Sequence, residues 1–227
     1  MKLDLSDKTA GLVASRLKVA LEGEKIVLCF KSRLELAALA FVPEIRDHVV
    51  GGATTAREGA ELLKETFATM LITDCTLEAG DGISLAHEFR HLKTICLTDR
   101  ENAELICEAE EAGVSGLIFR SAIGLGGEGA FLQAIGVVAR GGVSLSPAVN
   151  CIVDGGADKE ALEAISDLTD KEREVLSAVG RGLDNKEAAE EAFVSEETVK
   201  SHLRAIREKL GEKDRVRLAL TAIRAGI

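Results

Sequence analysis

The stretch TMLITDCTLEAGDG, residues 69 to 82, indicates how the N-terminal part of the chain folds. Its first six residues form a short apolar run that ends in Asp74, and the pair Asp81-Gly82 closes the loop that follows. A short apolar run bounded by polar and turn-forming residues is typical of a buried strand. A carboxylate at the end of such a strand is a candidate functional group, because parallel sheets carry their sites at strand ends.

Four further apolar runs flank this one, and each is followed by a segment with helical periodicity. The five runs are KIVLCF (25–30), HVVGGA (48–53), TMLITD (69–74), KTICLTD (93–99) and GVSGLIFR (113–120). The alternation predicts an α/β fold with a five-stranded, doubly wound parallel sheet covered by helices on both faces. We therefore expect Asp74, Thr98 and Arg120 to converge at one edge of the sheet.

The length of 227 residues suits two small domains. The predicted organisation is an N-terminal extension (1–24), a sheet domain (25–142), a linker (143–163) and an all-α helical domain (164–227). The extension is predicted to form an amphipathic helix that packs on its own domain or makes a dimer contact. Its apolar face would consist of Leu12, Leu17, Val19 and Leu21.

Composition excludes several classes of protein. No apolar run approaches the roughly 18 residues of a membrane span, and the N-terminus lacks the apolar core of a signal peptide, so we expect a cytoplasmic protein without a membrane partner. The cysteines are odd in number and show no CxxC spacing, so neither a disulfide framework nor a zinc site is indicated. No cofactor or metal is expected. The cysteines are residues 29, 75, 96, 107 and 151.

The last 60 or so residues read as four short helices with visible start signals. Thr169 with Glu172 and Asp184 with Glu187 are predicted capping boxes, and Ser195 is a predicted cap of the third helix. That helix carries an apolar stripe of Val199, Leu203, Ile206 and Leu210. Its outward positions are Lys200, Ser201, Arg204 and Arg207.

A short helix, a turn and a longer helix with a basic outer face suit a helix-turn-helix that reads the major groove. Residues 198–217 hold seven basic against three acidic residues, although the whole chain carries a net charge of −10. A polyanion could bind this local positive cluster. The alternative is a solvated basic face on a helical bundle.

The segment LTDKEREVLSAVGRGLDNKEAAEEAFVSEETVKSHLRAIREKL resembles the LuxR-type helix-turn-helix. The resemblance implies that double-stranded DNA is a partner and that Lys200, Ser201 and Arg204 approach base edges. It implies phosphate contacts from Asn185, Lys186, Thr198 and Lys209. It also implies homodimerisation through the last helix, by Val216, Ala219, Leu220 and Ile223. Ala188 stands where the family usually has isoleucine.

The N-terminal part resembles a receiver of the NarL/FixJ type over roughly residues 25 to 147. The resemblance rests on the spacing from Asp74 to Gly82, on Thr98 followed 22 residues later by a basic residue, and on FLQAIGVVARGGVSLSP. Receivers hold an acidic metal-binding pair just after the first strand. Here Phe30 and Lys31 occupy those places.

Three more positions depart from the receiver pattern. Arg120 replaces a lysine, Leu117 replaces an aromatic residue, and Glu78 stands where proline is common. Phosphoryl transfer between two anions needs a divalent metal ion. We therefore hypothesise a pseudo-receiver in which Asp74 is unphosphorylated and paired with Lys31 or Arg120.

Several alternatives remain open from the sequence. Asp74 could retain phosphorylation, with Glu78 or Asp81 helping to bind the metal ion. The receiver could instead be an adaptor for a protein partner, and redox chemistry at Cys75 is a candidate trigger. A DNA-binding transcription regulator is the favoured function.

Two motifs are set aside, so no enzyme activity is expected. HEFRH (87–91) matches a zinc-protease pattern, with Glu111 as a candidate third ligand, but it falls in a short covering helix of the predicted sheet. GLGGEG (124–129) matches a dinucleotide-binding pattern, but it follows the last strand of the sheet rather than the first.

Overall fold

The computed structural model describes residues 9–123, 129–145 and 159–227. Within these residues, six parallel strands form one sheet in the order β2-β1-β3-β4-β5-β6. The strands are β1 (Ile26–Cys29), β2 (Val49–Ala53), β3 (Met70–Asp74), β4 (Lys93–Thr98), β5 (Gly116–Phe119) and β6 (Ser144–Leu145). The α/β class and the doubly wound parallel sheet predicted from the sequence are confirmed.

Helices connect the strands of the sheet, and the helices after β6 form a separate group. The helices are α1 (Thr9–Ala20), α2 (Arg33–Ala40), α3 (Ala56–Thr66), α4 (Gly82–Glu88), α5 (Ala103–Ala112), α6 (Gly129–Ala139), α7 (Lys159–Ala164), α8 (Asp170–Gly180), α9 (Asn185–Ala192), α10 (Glu196–Leu210) and α11 (Arg215–Arg224). We call the described residues up to 145 the sheet domain and those from 159 onward the helical domain.

The prediction of five strands missed β6. The N–H of Ser144 donates to the carbonyl oxygen of Ser115 at 3.0 Å, and Leu145 is paired with Leu117. This two-residue strand extends the sheet beyond β5 and lies at the start of the predicted linker. The rest of that linker up to residue 158 lies outside the described residues.

The N-terminal helix α1 lies against α6 of its own domain. Leu17 and Leu21 are buried, as expected. The expectation for Val19 was wrong, because its side chain is 73% exposed. Residues four apart share one helix face, whereas a residue two positions away points to nearly the opposite side. The side chain of Leu12 lies outside the described residues.

Helices α8, α9 and α10 begin where the sequence predicts, whereas α7 lies mostly within the predicted linker. Both capping boxes are present, at Thr169 with Glu172 and at Asp184 with Glu187, and the Ser195 side chain accepts the N–H of Thr198. Val199, Leu203 and Ile206 of α10 are buried, and the helix ends at a left-handed Gly211. These local signals orient α10 with its apolar stripe inward. None of the described helices is long and apolar enough to cross a membrane.

Candidate functional site

Three adjacent strands bring the predicted acceptor residues together. Asp74 ends β3, Thr98 ends β4, and Arg120 directly follows β5. These three residues line one cleft of about 680 Å³, together with Lys31 beyond the end of β1. The convergence expected from the strand ends is therefore present.

The spacing from Asp74 to Gly82 has a steric reason. Gly82 begins α4, and its N–H donates to the carbonyl oxygen of Cys75 at 3.1 Å. A Cβ atom on Gly82 would lie 2.1 Å from the carbonyl oxygen of Asp74. Only glycine lets the loop fold back this closely on the end of β3.

Both carboxylate oxygens of Asp74 are occupied by donors from the chain. The backbone N–H of Lys31 donates to Oδ2 at 3.0 Å, and the guanidinium of Arg120 forms an ion pair with Oδ1. The Asp74 residue is only 6% exposed. Lys31 thus contacts Asp74 through its backbone, while Arg120 supplies the side-chain positive charge.

Arg120 also contacts two carboxylates that the sequence interpretation did not include. Its guanidinium lies 3.0 Å from Glu35 Oε1 and 3.6 Å from Asp99 Oδ2. Glu35 lies in the first turn of α2, and Asp99 directly follows β4. The position of both residues just past a strand end was the signal that could have identified them.

The pKa of Asp74 is raised above its usual value. Burial is the main cause, and the nearby Glu35 carboxylate acts in the same direction. The hydrogen bond from Lys31 and the charge of Arg120 oppose the rise without cancelling it.

The residues proposed to assist metal binding have other hydrogen-bond partners. Glu78 accepts a hydrogen bond from the Thr54 hydroxyl at 2.8 Å. Asp81 caps α4 by accepting the N–H and the hydroxyl of Ser84 at 2.6 and 2.8 Å. The Thr98 hydroxyl accepts the N–H of Arg100 at 2.9 Å. Each group thus stabilises a local turn or loop contact.

The outer face of α10 is open to solvent. Lys200, Ser201 and Arg204 are all exposed, opposite the buried stripe. Lys200 lies 3.3 Å from Glu197 and Arg204 lies 3.2 Å from Glu208, in exposed ion pairs within the helix. Exposed pairs of this kind contribute little to stability. Both cations can therefore leave these partners at low cost.

The four residues predicted to contact phosphates differ in their exposure and in the partners that they already have. Lys186 is exposed at the N-terminus of α9, and Thr198 is half-buried in the first turn of α10. The Asn185 side-chain oxygen accepts a hydrogen bond from Arg215 at 2.8 Å. Lys209 lies 2.6 Å from the buried Glu172 carboxylate and lowers the pKa of Glu172 to about 2. Lys209 thus links α10 to the start of α8 in this structure.

The predicted dimer helix α11 is covered on every side. Val216, Ala219, Leu220 and Ile223 are all buried, and the residues from Leu218 to Ile223 form an unbroken buried run. Six consecutive residues span more than one full helical turn, so no face is left open. The helix packs on α8, and Ile223 also lines a cleft with Val143 and Leu145 of the sheet domain.

A set of contacts that the sequence analysis missed joins the two domains. Arg140, at the end of α6, lies 2.6 Å from Asp184 and 3.2 Å from Glu187 at the start of α9. Arg224 of α11 lies 3.4 Å from Glu110 of α5. The sheet domain thus contacts both the start of α9 and the predicted dimer helix α11.

Two glycines allow the domain backbones to approach closely. A Cβ on Gly182 would lie 2.3 Å from the carbonyl oxygen of Val143, and a Cβ on Gly142 would lie 2.9 Å from that of Gly182. Gly182 also has a φ of 80°. The domain contact therefore depends on the absence of side chains at this point.

The protease-like motif does not form a metal site. Helix α4 ends at Glu88, so His87 and His91 do not share one continuous helix face. Glu88 instead pairs with Lys64 at 3.0 Å. In the part of the chain that the structure describes, no group of three or more His, Cys, Asp or Glu residues could hold a metal ion. Most of GLGGEG lies outside the described residues.

Residues 166–222 match the family "Bacterial regulatory proteins, luxR family". This match covers α8, α9 and α10 and most of α11. The helical domain is therefore a LuxR-type helix-turn-helix domain.

The whole chain is similar to proteins that regulate transcription. The transcriptional regulatory protein LnrK of Bacillus subtilis (strain 168) is 27% identical over an alignment of 219 residues, and the alignment covers 89% of this chain and 98% of LnrK. The DNA-binding transcriptional activator DevR/DosR of Mycobacterium tuberculosis is 29% identical over an alignment of 182 residues, and the alignment covers 77% of this chain and 81% of DevR/DosR.

The fold is also similar to that of a solved response regulator. The crystal structure of a LuxR-family two-component response regulator from Aurantimonas sp. SI85-9A1 covers 59% of this chain and 98% of its own. The TM-score is 0.50 at 21% identity.

Proposed function

We propose that this chain, a DNA-binding transcriptional regulator of the response-regulator type, acts on DNA without phosphorylation of Asp74. The observation that carries the proposal is that Arg120 and the Lys31 N–H occupy both oxygens of the Asp74 carboxylate. In a receiver that accepts a phosphoryl group, one of these oxygens must attack phosphorus.

The counterion of Asp74 in this structure is the guanidinium of Arg120. Phosphoryl transfer to a carboxylate relies on Mg²⁺ held by neighbouring carboxylates. Residues 26–34 contain no acid, and the nearest acids, Glu35 and Asp99, already share Arg120. An internal cation thus takes the electrostatic role of the metal ion and keeps the loops of the cleft together.

DNA recognition is proposed for the outer face of α10. Lys200 and Arg204 can donate hydrogen bonds to base edges in the major groove, and Ser201 lies between them on the same face. Lys186 and Thr198 lie near this face and can contact phosphates. Neutralising phosphates releases counterions, so binding should weaken steeply as salt is raised.

Dimer formation through α11 is proposed to require separation of the two domains. The apolar residues of α11 are buried in the described arrangement, whereas the reading face of α10 is exposed. One chain can therefore meet a half-site as it stands. Pairing of two chains on a two-fold operator first needs release of Arg224 and Arg140 from their carboxylates.

The first experiment measures binding of the purified, unphosphorylated protein to fragments of its own genome at two salt concentrations. We expect specific fragments to be retained by the wild type and lost with Lys200→Ala. The matched control is Lys213→Ala, which removes an exposed lysine after the end of α10. Equal retention by both variants would place recognition elsewhere.

The second experiment tests the acceptor site directly. The protein is incubated with acetyl phosphate and Mg²⁺, and its intact mass is measured beside Asp74→Asn. We expect no phosphoryl adduct and unchanged DNA affinity. An adduct on the wild type that is missing from Asp74→Asn, together with tighter DNA binding, would overturn phosphorylation independence.

A further inference from the structure

Two cysteines next to the acceptor site lie side by side on neighbouring strands. Cys75 follows Asp74, and its N–H donates to the carbonyl oxygen of Leu97 at 2.9 Å. Cys96 is paired with Thr73 in the β3–β4 register. Because side chains alternate along a strand, Cys75 and Cys96 project from the same face of the sheet. Both side chains belong to one buried cluster, and each thiol shifts the pKa of the other.

The pKa values of the two thiols are shifted in opposite directions. The Cys75 thiol, together with complete burial, raises the pKa of Cys96, so that thiol keeps its proton. The Cys96 thiol lowers the pKa of Cys75, and Thr98 and the positive charge of Arg100 act in the same direction. A thiolate is the reactive form of cysteine. The pair therefore combines a nucleophilic sulfur with a neighbouring thiol.

A cavity gives small molecules access to Cys75. Its volume is about 540 Å³, and Cys75 lines it together with Ser84, His87 and Arg100. Cys29, by contrast, has no exposed surface, and burial raises its pKa to about 12. Cys75 is thus a buried cysteine that combines contact with a cavity and contact with a second thiol.

We propose that Cys75 and Cys96 are a peroxide-sensitive thiol pair, which hydrogen peroxide converts to a disulfide. The Cys75 thiolate attacks one peroxide oxygen, an S–O bond forms, the O–O bond breaks and hydroxide leaves. Cys75 becomes a sulfenic acid, oxidised by two electrons, while the peroxide is reduced. The Cys96 thiol then attacks that sulfur, the S–S bond forms, and the S–O bond breaks with release of water.

The pair lies in a buried cluster that reaches the helical domain. The cluster holds Cys75 and Cys96, Leu105 and Ala109 of α5, and Ala219 of α11. A disulfide requires the sulfurs to approach to about 2.05 Å. Oxidation would therefore shift the end of β3 beside Asp74 within this cluster. The chemical inference does not depend on the proposed function.

The test uses the full-length protein treated with hydrogen peroxide, digested with trypsin and analysed by mass spectrometry. Trypsin places the described cysteines in separate peptides, 26–31, 65–90, 94–100 and 101–120. We expect a cross-linked species of peptides 65–90 and 94–100. Cys96→Ser should lose this species and carry a sulfenic acid at Cys75 that dimedone labels. Cys107→Ser, which removes an exposed thiol, should keep the cross-link.

Oxidation at Cys107 without the cross-link between 65–90 and 94–100 would overturn the proposal. So would an unlabelled Cys75 in folded, peroxide-treated Cys96→Ser. If Cys96→Ser does not fold, the presence or absence of the cross-link in the wild-type protein decides the question, because that measurement needs no substitution. The readout is chemical, so its failure is separate from failure of DNA binding.

Discussion

Two buried aspartates in this molecule are each paired with an arginine, and their acidities change in opposite directions. Asp74 pairs with Arg120 within the sheet domain, and Asp184 pairs with Arg140 across the domain contact. Burial tends to raise the pKa of both. The net result is a raised pKa for Asp74 and a lowered pKa for Asp184.

The difference comes from the groups around each pair. Asp184 caps α9 and accepts the N–H groups of Lys186 and Glu187 at 2.8 and 2.9 Å. Asp74 accepts one backbone N–H and faces Glu35, which competes for the same arginine. A helix N-terminus stabilises a carboxylate, whereas a second carboxylate destabilises it. The arginine partner alone therefore does not decide the acidity.

The two pairs accordingly have different consequences. The ionised form of Asp184 is stabilised in the folded protein, which makes it a firm connection between the domains. The ionised form of Asp74 is held at a cost, and its arginine is shared among Asp74, Glu35 and Asp99. Of these two aspartates, Asp74 should tolerate the loss of its negative charge better.

The largest effect on stability is expected for Asp184→Ala. The substitution removes a helix cap and leaves Arg140 with Glu187 alone, so the free energy of unfolding should fall by about 2 to 3 kcal/mol. Urea unfolding measures this change. Asp214→Ala is the matched control, because Asp214 also caps a helix by accepting the N–H of Arg217. We expect Asp214→Ala to lower the free energy of unfolding by about 1 kcal/mol. Equal losses in the two variants would show that the ion pair with Arg140 adds nothing to stability.

Arg140→Ala should have a smaller effect on stability and a clear effect on assembly. We expect a loss of about 1 kcal/mol, because the side chain is 34% exposed and solvent screens its charge. Weakening the domain contact should release α11, so the dimer association constant measured by sedimentation should rise about fivefold or more.

The control for Arg140→Ala is Arg181→Ala, which removes an exposed ion pair with Glu191 inside the helical domain. Its dimer fraction should match that of the wild type. A dimer fraction that is unchanged in Arg140→Ala as well would show that the domain contact does not hold α11 back.

Asp74→Asn should stabilise the protein by up to about 1 kcal/mol at neutral pH. The substitution removes a carboxylate that burial disfavours, and Arg120 keeps Glu35 and Asp99 as partners. Thermal or urea unfolding provides the measurement, with Asp47→Asn, an exposed aspartate, as the control. Destabilisation by more than 1 kcal/mol would mean that the Asp74–Arg120 pair outweighs its burial cost.

The smallest expected effect is the change with pH in the stability differences between the two aspartate variants and the wild type. For Asp74 the folded pKa lies above the unfolded value, so the stability it contributes is present below about pH 4 and lost as pH rises through the folded pKa. The advantage of Asp74→Asn should therefore disappear on acidification. For Asp184 the folded pKa is depressed, so its stabilisation is present above about pH 4 and lost as pH falls below it. Unfolding of both variants and the wild type between pH 3 and 7 tests the two opposite signs.

The sequence interpretation succeeded where partners are close along the chain. The capping boxes at Thr169 and Asp184 use residues three positions apart, and the apolar stripe of α10 repeats every three to four residues. The five longer strands were visible because each is a short apolar run, and all but β2 are almost entirely buried. β6 was missed because a two-residue strand has no pattern of its own and pairs only because β5 offers an open edge.

The site was predicted in part for the same reason. Asp74, Thr98 and Arg120 could be grouped because parallel strands end at one edge. Glu35 could not be assigned to Arg120, 85 residues away, and Arg140 could not be assigned to Asp184, 44 residues away. The sequence leaves the choice between Lys31 and Arg120 open, and the structure gives Asp74 the Arg120 side chain and the Lys31 backbone.

The sequence by itself determined the alternation of strands and helices, the helix starts, the exposed face of α10 and the absence of acids after β1, because these depend on neighbours within one or two turns. Only the tertiary structure decided that α11 is covered, that the domains meet at Gly142 and Gly182, and that Cys75 lies against Cys96. Those features depend on which surfaces are buried together. Burial of that kind is set by packing over the whole chain rather than by local hydrogen bonds.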